Sequence, residues 1–110
     1  EIRLSLVGSE MCIRDSINSL PEAEKIDGYT VLQHMEKGEF DKILFKRWEK
    51  KVYEVYFQKN NRVFYITVDK ENIYLLHSCR KQKNKTEKKD ANIVRKRAKE
   101  LGNMLGRKFI

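Results

Sequence analysis

Residues 52–77 read VYEVYFQKNNRVFYITVDKENIYLLH, and the period of this stretch decides the fold. Residues 52–57 (VYEVYF) and 62–68 (RVFYITV) are rich in β-branched and aromatic side chains, which suit a pleated, half-buried surface. Between them Gln58, Lys59, Asn60 and Asn61 supply the polar residues of a hairpin loop. Asp69, Lys70, Glu71 and Asn72 make a second turn before residues 73–77. The pattern predicts a three-stranded antiparallel meander. Residues 43–48 (ILFKRW) form either a further short strand or the lead-in to the first.

On the N-terminal side the period lengthens. Ser19-Leu20-Pro21-Glu22 reads as a helix entry, with proline preset for the first turn and the acids Glu22 and Glu24 near the positive end of the helix dipole. Ile26, Tyr29, Val31, Leu32 and Met35 supply an apolar face, and Gly38 is suited to stop the helix. A helix over 21–37 is predicted, despite Gly28 inside it at a cost of about 1 kcal/mol against alanine. A second helix opens at about Thr86, with Glu87 in its first turn and Val94, Ala98, Leu101 and Leu105 as a narrow apolar stripe. The expected class is α+β: an antiparallel sheet of three to four strands, the first helix packed on one face and a helix at the C-terminal end.

Charge is distributed unevenly over the 110 residues. Residues 80–110 hold twelve of the 24 Lys and Arg, opposed only by Glu87, Asp90 and Glu100, while the other 79 residues carry one net negative charge. A cationic loop and helix on a near-neutral body fit a polyanionic partner, since each neutralised phosphate releases condensed counterions. A solvated helix kept soluble by lysine is the plainer alternative. The length fits a single domain with a modest core. No apolar stretch approaches the roughly 20 residues that span a bilayer, and no signal-peptide pattern is seen, so a cytoplasmic location is expected. Cys12 and Cys79, with His34 and His77 the only imidazoles, are too few for a disulfide framework, and neither a structural metal nor a cofactor is expected.

The first sixteen residues, EIRLSLVGSEMCIRDS, stand apart. SLVGSEMCIRD resembles the peptide obtained when sequencing-adapter DNA is translated, so residues 1–16 are expected to be an artefact without function. The domain would then be 17–110, shortened at its N-terminus. Alternatively, residues 3–7 form a strand, since Leu4 and Leu6 alternate with Arg3 and Ser5.

From Asn72 to Leu101 the chain reads NIYLLHSCRKQKNKTEKKDANIVRKRAKEL. This resembles the end of the phage-derived HigB-like toxins of the RelE/ParE superfamily: a last strand ending Leu-Leu-His, a basic loop closing on Lys-Thr, and a helix of alanine and basic residues. Upstream, INSLPEAEK is similar to that family's Ser-Leu-Pro helix entry, YEVYF to its Tyr-Glu-Leu-Arg strand and NRVFYI to its Tyr-Arg-Ile-Leu-Tyr strand. The resemblance covers roughly residues 17–105.

What the resemblance implies is the toxin of a type II toxin–antitoxin system. Such a toxin is a metal-independent endoribonuclease (mRNA interferase) acting on mRNA, commonly at the ribosome, and is neutralised by a helix-turn-helix antitoxin encoded nearby. The ribose 2′-OH attacks the adjacent phosphorus, so arginine and lysine placed at the phosphoryl oxygens supply much of the catalysis. Arg62 matches the functional strand arginine, and Arg80 and Lys81 the basic pair after the last strand. Lys83, Lys85 and Lys88 extend an RNA-binding groove. His77, at a strand end, has the chemistry for general acid or base work near neutral pH. Each residue has a plainer reading: Arg62 paired with a carboxylate at a sheet surface, solvated loop charge for the lysines, a structural hydrogen bond for His77. His34 is expected at the surface.

Departures from the family pattern keep other readings open. Tyr56 stands where the family strand has arginine; it can stack on a base or donate a hydrogen bond, but brings no fixed charge. Cys79 replaces a phenylalanine, and Glu87 a proline. A catalytically decayed module of the same fold that binds RNA or antitoxin is therefore one alternative, and an unrelated α+β protein with a basic tail another. For the site, Arg62, Arg80 and Lys81 are expected to converge on one concave surface with Tyr56 and His77 at its edge.

Overall fold

The computed structural model describes residues 1–7, 12–58, 60–80 and 86–110. In chain order the elements are β1 (Arg3–Leu6), α1 (Cys12–Asn18), α2 (Glu22–Glu36), a 3-10 turn (Phe40–Lys42), β2 (Leu44–Glu49), β3 (Val52–Phe57), β4 (Asn61–Thr67), β5 (Asn72–Arg80) and α3 (Lys88–Leu105). The strands make one sheet in the order β1-β5-β4-β3-β2. The class is α+β as expected, but the sheet is not a purely antiparallel one of three or four strands. It has five, and it is mixed, because β1 pairs in parallel with β5 from Arg3↔Asn72 to Leu6↔Leu75. The remaining pairings, β2 with β3, β3 with β4 and β4 with β5, are antiparallel.

Two apolar layers follow from the alternation of side chains along the strands. Val55, Val63, Tyr65, Ile73 and Leu75 face α1 and α2, where Ile13, Ile17, Val31, Leu32 and Met35 cover them. Val52, Phe64, Ile66 and Leu76 face α3 and meet Val94, Ala98 and Leu101, with Phe109 returning from the C-terminal segment. Fully burying a side chain of this size contributes about 1.5–3 kcal/mol, so a sheet covered on both faces has ample driving force to order itself. The stripe on α3 is shifted from the expected one: Ala91 is buried, whereas Leu105 is exposed. No described helix is long and apolar enough to cross a membrane.

Helix α2 begins one residue after Pro21 and ends before Gly38, whose φ of +70° provides the left-handed turn that glycine adopts without strain. Gly28 is unfavourable for an isolated helix, but close packing explains it. A Cβ there would lie 3.1 Å from Ile17 Cγ2 and 3.2 Å from Phe57 Cζ, so its absence spares those side chains a shift as α2 packs on α1 and the sheet. Helix α1 was not anticipated. Its Ile13 and Ile17, spaced i, i+4, are 2% and 1% exposed, which fixes the helix against the same layer.

The β4–β5 pairing changes register once, and the site depends on it. Phe64 pairs with His77 but Tyr65 with Leu75, which leaves Leu76 as an extra residue on β5. Such a bulge turns every later side chain on its strand to the opposite face. The carbonyl of Leu76 accepts a hydrogen bond from Arg97 Nη1 of α3 at 2.7 Å.

Candidate functional site

Beyond the bulge, two cross-strand rows lie on the α3 face. The outer row is Leu44, Tyr56, Arg62 and Cys79, and the inner row is Lys46, Glu54, Phe64 and His77. The sheet therefore brings Arg62, Tyr56 and His77 to one face, at the end where β5 gives way to the basic segment. Glu54 sits among them with its side chain 1% exposed, and the Arg62 side chain is 7% exposed. Burial of two opposite charges is tolerable only as a pair. Arg62 Nε lies 3.0 Å from Glu54 Oε1, although its N–H is out of line for a proper hydrogen bond. Arg62 Nη1 also donates to the carbonyl of Asn61 at 3.1 Å.

Tyr56 is half-buried and lies between two cations. The Arg62 guanidinium carbon is 4.8 Å from the ring centroid, and Lys46 Nζ is 5.9 Å from it. Both distances fit cation–π attraction. Lys46 is exposed, so its charge is available to a ligand at the rim of this ring. At the inner row His77 Nε2 is 2.8 Å from Asp90 Oδ1, in the first turn of α3, with side chains 14% and 10% exposed. An ionised carboxylate only accepts, which places the shared proton on Nε2. The imidazole is thus oriented by a carboxylate, as a proton-transfer group requires.

Arg80 does not join this group. It follows the bulge as the partner of Asn61, and both point to the α2 face, where the Arg80 guanidinium and Asn61 Nδ2 contact Glu24 Oε1, the latter at 2.8 Å. The expected convergence of Arg62 and Arg80 is therefore incorrect: they lie on opposite faces. Nor is Arg62 at a surface; it is buried. Lys81, Lys83 and Lys85 lie outside the described residues. Lys88 is exposed at the start of α3, in the same turn as Asp90. His34 is half-buried, with Nδ1 3.0 Å from Glu39 Oε1.

Three acids escaped the sequence reading: Glu54, Glu24 and Asp90, each under a tenth exposed. For Glu54 a signal was present. It stands between Val52 and Tyr56 on the same strand face, and a carboxylate on an apolar face demands a cationic partner. In the sequence Glu24 reads only as a first-turn acid favourable to the dipole, and Asp90 only as one of three acids opposing the basic end.

No curated protein sequence matches the chain. Residues 15–99, most of its length, match the family described as phage-derived protein Gp49-like (DUF891). The chain belongs to this phage-derived Gp49-like family, within the RelE/HigB-type toxin group.

Proposed function

We propose that the protein is the toxin of a type II toxin–antitoxin pair and an endoribonuclease that cuts mRNA. The observation that best supports this is the grouping of Arg62, Lys46, Tyr56 and the Asp90-oriented His77 on one sheet face. In the reaction the O2′–P bond forms as the P–O5′ bond breaks. A base takes the 2′-proton and an acid protonates O5′, giving a cyclic phosphate and a free 5′-OH. Arg62 and Lys46 offer positive charge to the phosphoryl oxygens. Tyr56 offers a face on which a base stacks, and His77 is the group suited to move a proton. Lys81, Lys83, Lys85 and Lys88 would hold flanking phosphates, and a helix-turn-helix antitoxin and the ribosome are the proposed partners.

A second reading, a decayed module that binds without cutting, is favoured by one specific observation: the Arg62 charge is already opposed by Glu54 inside the protein. The deciding experiment incubates the full chain with end-labelled mRNA, with and without ribosomes. Fragments ending in cyclic phosphate support the ribonuclease. Binding without fragments supports the module, and the absence of both binding and fragments overturns both readings. Arg62→Ala alone would strand a buried carboxylate, so the informative variant is the double replacement Arg62→Met with Glu54→Gln. Loss of a charge contact to a transition state should slow its cleavage about 100- to 1000-fold. Cleavage at the parental rate would remove Arg62 from the site.

A further inference from the structure

We propose that His77, Cys79 and Asp90 form a three-donor binding site for one zinc ion. His77 and Cys79 are two residues apart on β5 and so share a face, and Asp90 meets them from the first turn of α3. Their donor atoms, an imidazole nitrogen, a thiol sulfur and a carboxylate oxygen, all lie within 4.8 Å of one another. Tetrahedral zinc, with bonds of about 2.0–2.3 Å to such donors, needs them about 3.3–3.8 Å apart. The 2.8 Å contact between His77 Nε2 and Asp90 Oδ1 has to open slightly and the sulfur to close in. The strand and the helix fix the backbone positions, so the adjustment falls to side-chain rotamers.

Donor chemistry selects the ion. A mixed nitrogen, sulfur and oxygen set is typical of zinc, which has no geometric preference of its own and accepts all three. One thiolate and one carboxylate neutralise a dication, so the loaded site carries no net charge into a half-buried setting. The bulge at Leu76 is what makes the triad possible: without the extra residue, His77 and Cys79 would face α2, away from Asp90. The described donors number three, which leaves a tetrahedral ion one position for an outside ligand. Zinc held by His77 and Asp90 would replace the 2.8 Å contact between them, so the loaded protein would lose the carboxylate contact that orients His77 as an acid or base. The metal site stands on its own geometry, and its tests read the metal rather than cleavage.

The experiment titrates metal-stripped full-length protein with Zn²⁺ and Co²⁺. One equivalent per chain is expected, and the cobalt form should show a thiolate charge-transfer band with the intense visible absorption of tetrahedral coordination. Cys79→Ser should abolish the charge-transfer band. Asp90→Asn keeps the volume and an oxygen acceptor for His77; with an unchanged far-ultraviolet spectrum it should still weaken zinc by at least about tenfold, the scale on which even groups behind the ligands act. Cys12→Ser should bind as the parent does. Failure to retain zinc at micromolar concentrations, persistence of the band in Cys79→Ser, or its loss in Cys12→Ser would overturn the proposal.

Discussion

Arg62 and Arg80 stand one register step apart on neighbouring strands, yet their guanidinium groups bind carboxylates on opposite sides of the sheet. Arg62 pairs with Glu54 towards α3, and Arg80 with Glu24 of α2. Regular pairing continued from Tyr65↔Leu75 would place Arg62 opposite Ser78 and turn Arg80 to the Arg62 face. Leu76 breaks that parity. One extra residue thus exchanges Arg80 for His77 and Cys79 on the α3 face, replacing a cation by two groups with proton, metal or redox chemistry.

The bulge should be sensitive to Arg97, which donates to the carbonyl of Leu76 at 2.7 Å. Arg97→Met keeps the aliphatic stem but removes the donor. A lost hydrogen bond of this charged kind costs about 1.5–3 kcal/mol, so the urea midpoint should fall with an unchanged slope. Amide exchange at Leu76 and His77 should accelerate more than at Val63. A variant as stable as the parent would mean that the bulge holds without α3.

Glu54 and Arg62 should behave as a coupled pair. Glu54→Ala leaves a buried guanidinium opposed by nothing of like strength, and removal of one member of such a pair costs about 3–5 kcal/mol. The double replacement Glu54→Gln with Arg62→Met should recover most of that loss, since desolvation of both charges is avoided. Four denaturation curves give the coupling. Additive effects would show that the 3.0 Å approach contributes little.

Acid should weaken the fold partly through two surface carboxyls. Glu39 titrates below its ordinary 4.5 because His34 Nδ1 and Lys42 Nζ contact it, and Asp69 below its ordinary 3.8 because the Glu71 amide and the Asn72 side chain donate to it. As pH falls the unfolded chain takes up these protons first. The stability they contribute is complete above the ordinary values and is lost as pH drops through the lowered ones. Asp69→Asn keeps an oxygen acceptor but no longer titrates, so its denaturation midpoint should decline less than the parent's between about pH 5 and 3. Parallel curves would assign the acid sensitivity elsewhere.

How much of this was legible in the sequence turns on parity. The strands read at 52–57 and 62–68 match β3 and, to within one residue, β4, because polar loops bracket a β-branched and aromatic run. The bulge was not, because Leu75 and Leu76 are both leucine and either can point to either core. Arg62 and Arg80, expected to converge, do lie at adjoining strand ends, but adjacency does not determine a face. β1 agreed with the alternation of Leu4 and Leu6, whereas its parallel docking beside β5 involves residues about seventy positions away, as the Arg3↔Asn72 pairing shows, and leaves no local trace. Whatever the origin of residues 1–16, Val7 and Ile13 are 7% and 2% exposed, Val7 packed into the layer under α3 and Ile13 into the layer under α2.

Tyr56 separates stacking from charge in nucleic-acid binding. Of the two cations over its ring, Arg62 is buried and Lys46 exposed, so Lys46 can swing aside for an unpaired base to lie on the phenol and then meet that base's phosphate. Stacking on an aromatic side chain contributes about 1–3 kcal/mol per base. Tyr56→Ala should therefore weaken binding of single-stranded RNA roughly 5- to 150-fold with the slope against salt unchanged. Tyr56→Phe should bind as the parent does, because it keeps the ring and loses only the hydroxyl. Lys46→Ala should show the complementary signature, a modest loss of affinity with the salt slope reduced by about one. Filter-binding isotherms at several salt concentrations measure all three. If Tyr56→Phe binds as poorly as Tyr56→Ala, the phenol acts as a hydrogen-bond donor to phosphate, and the stacking assignment fails.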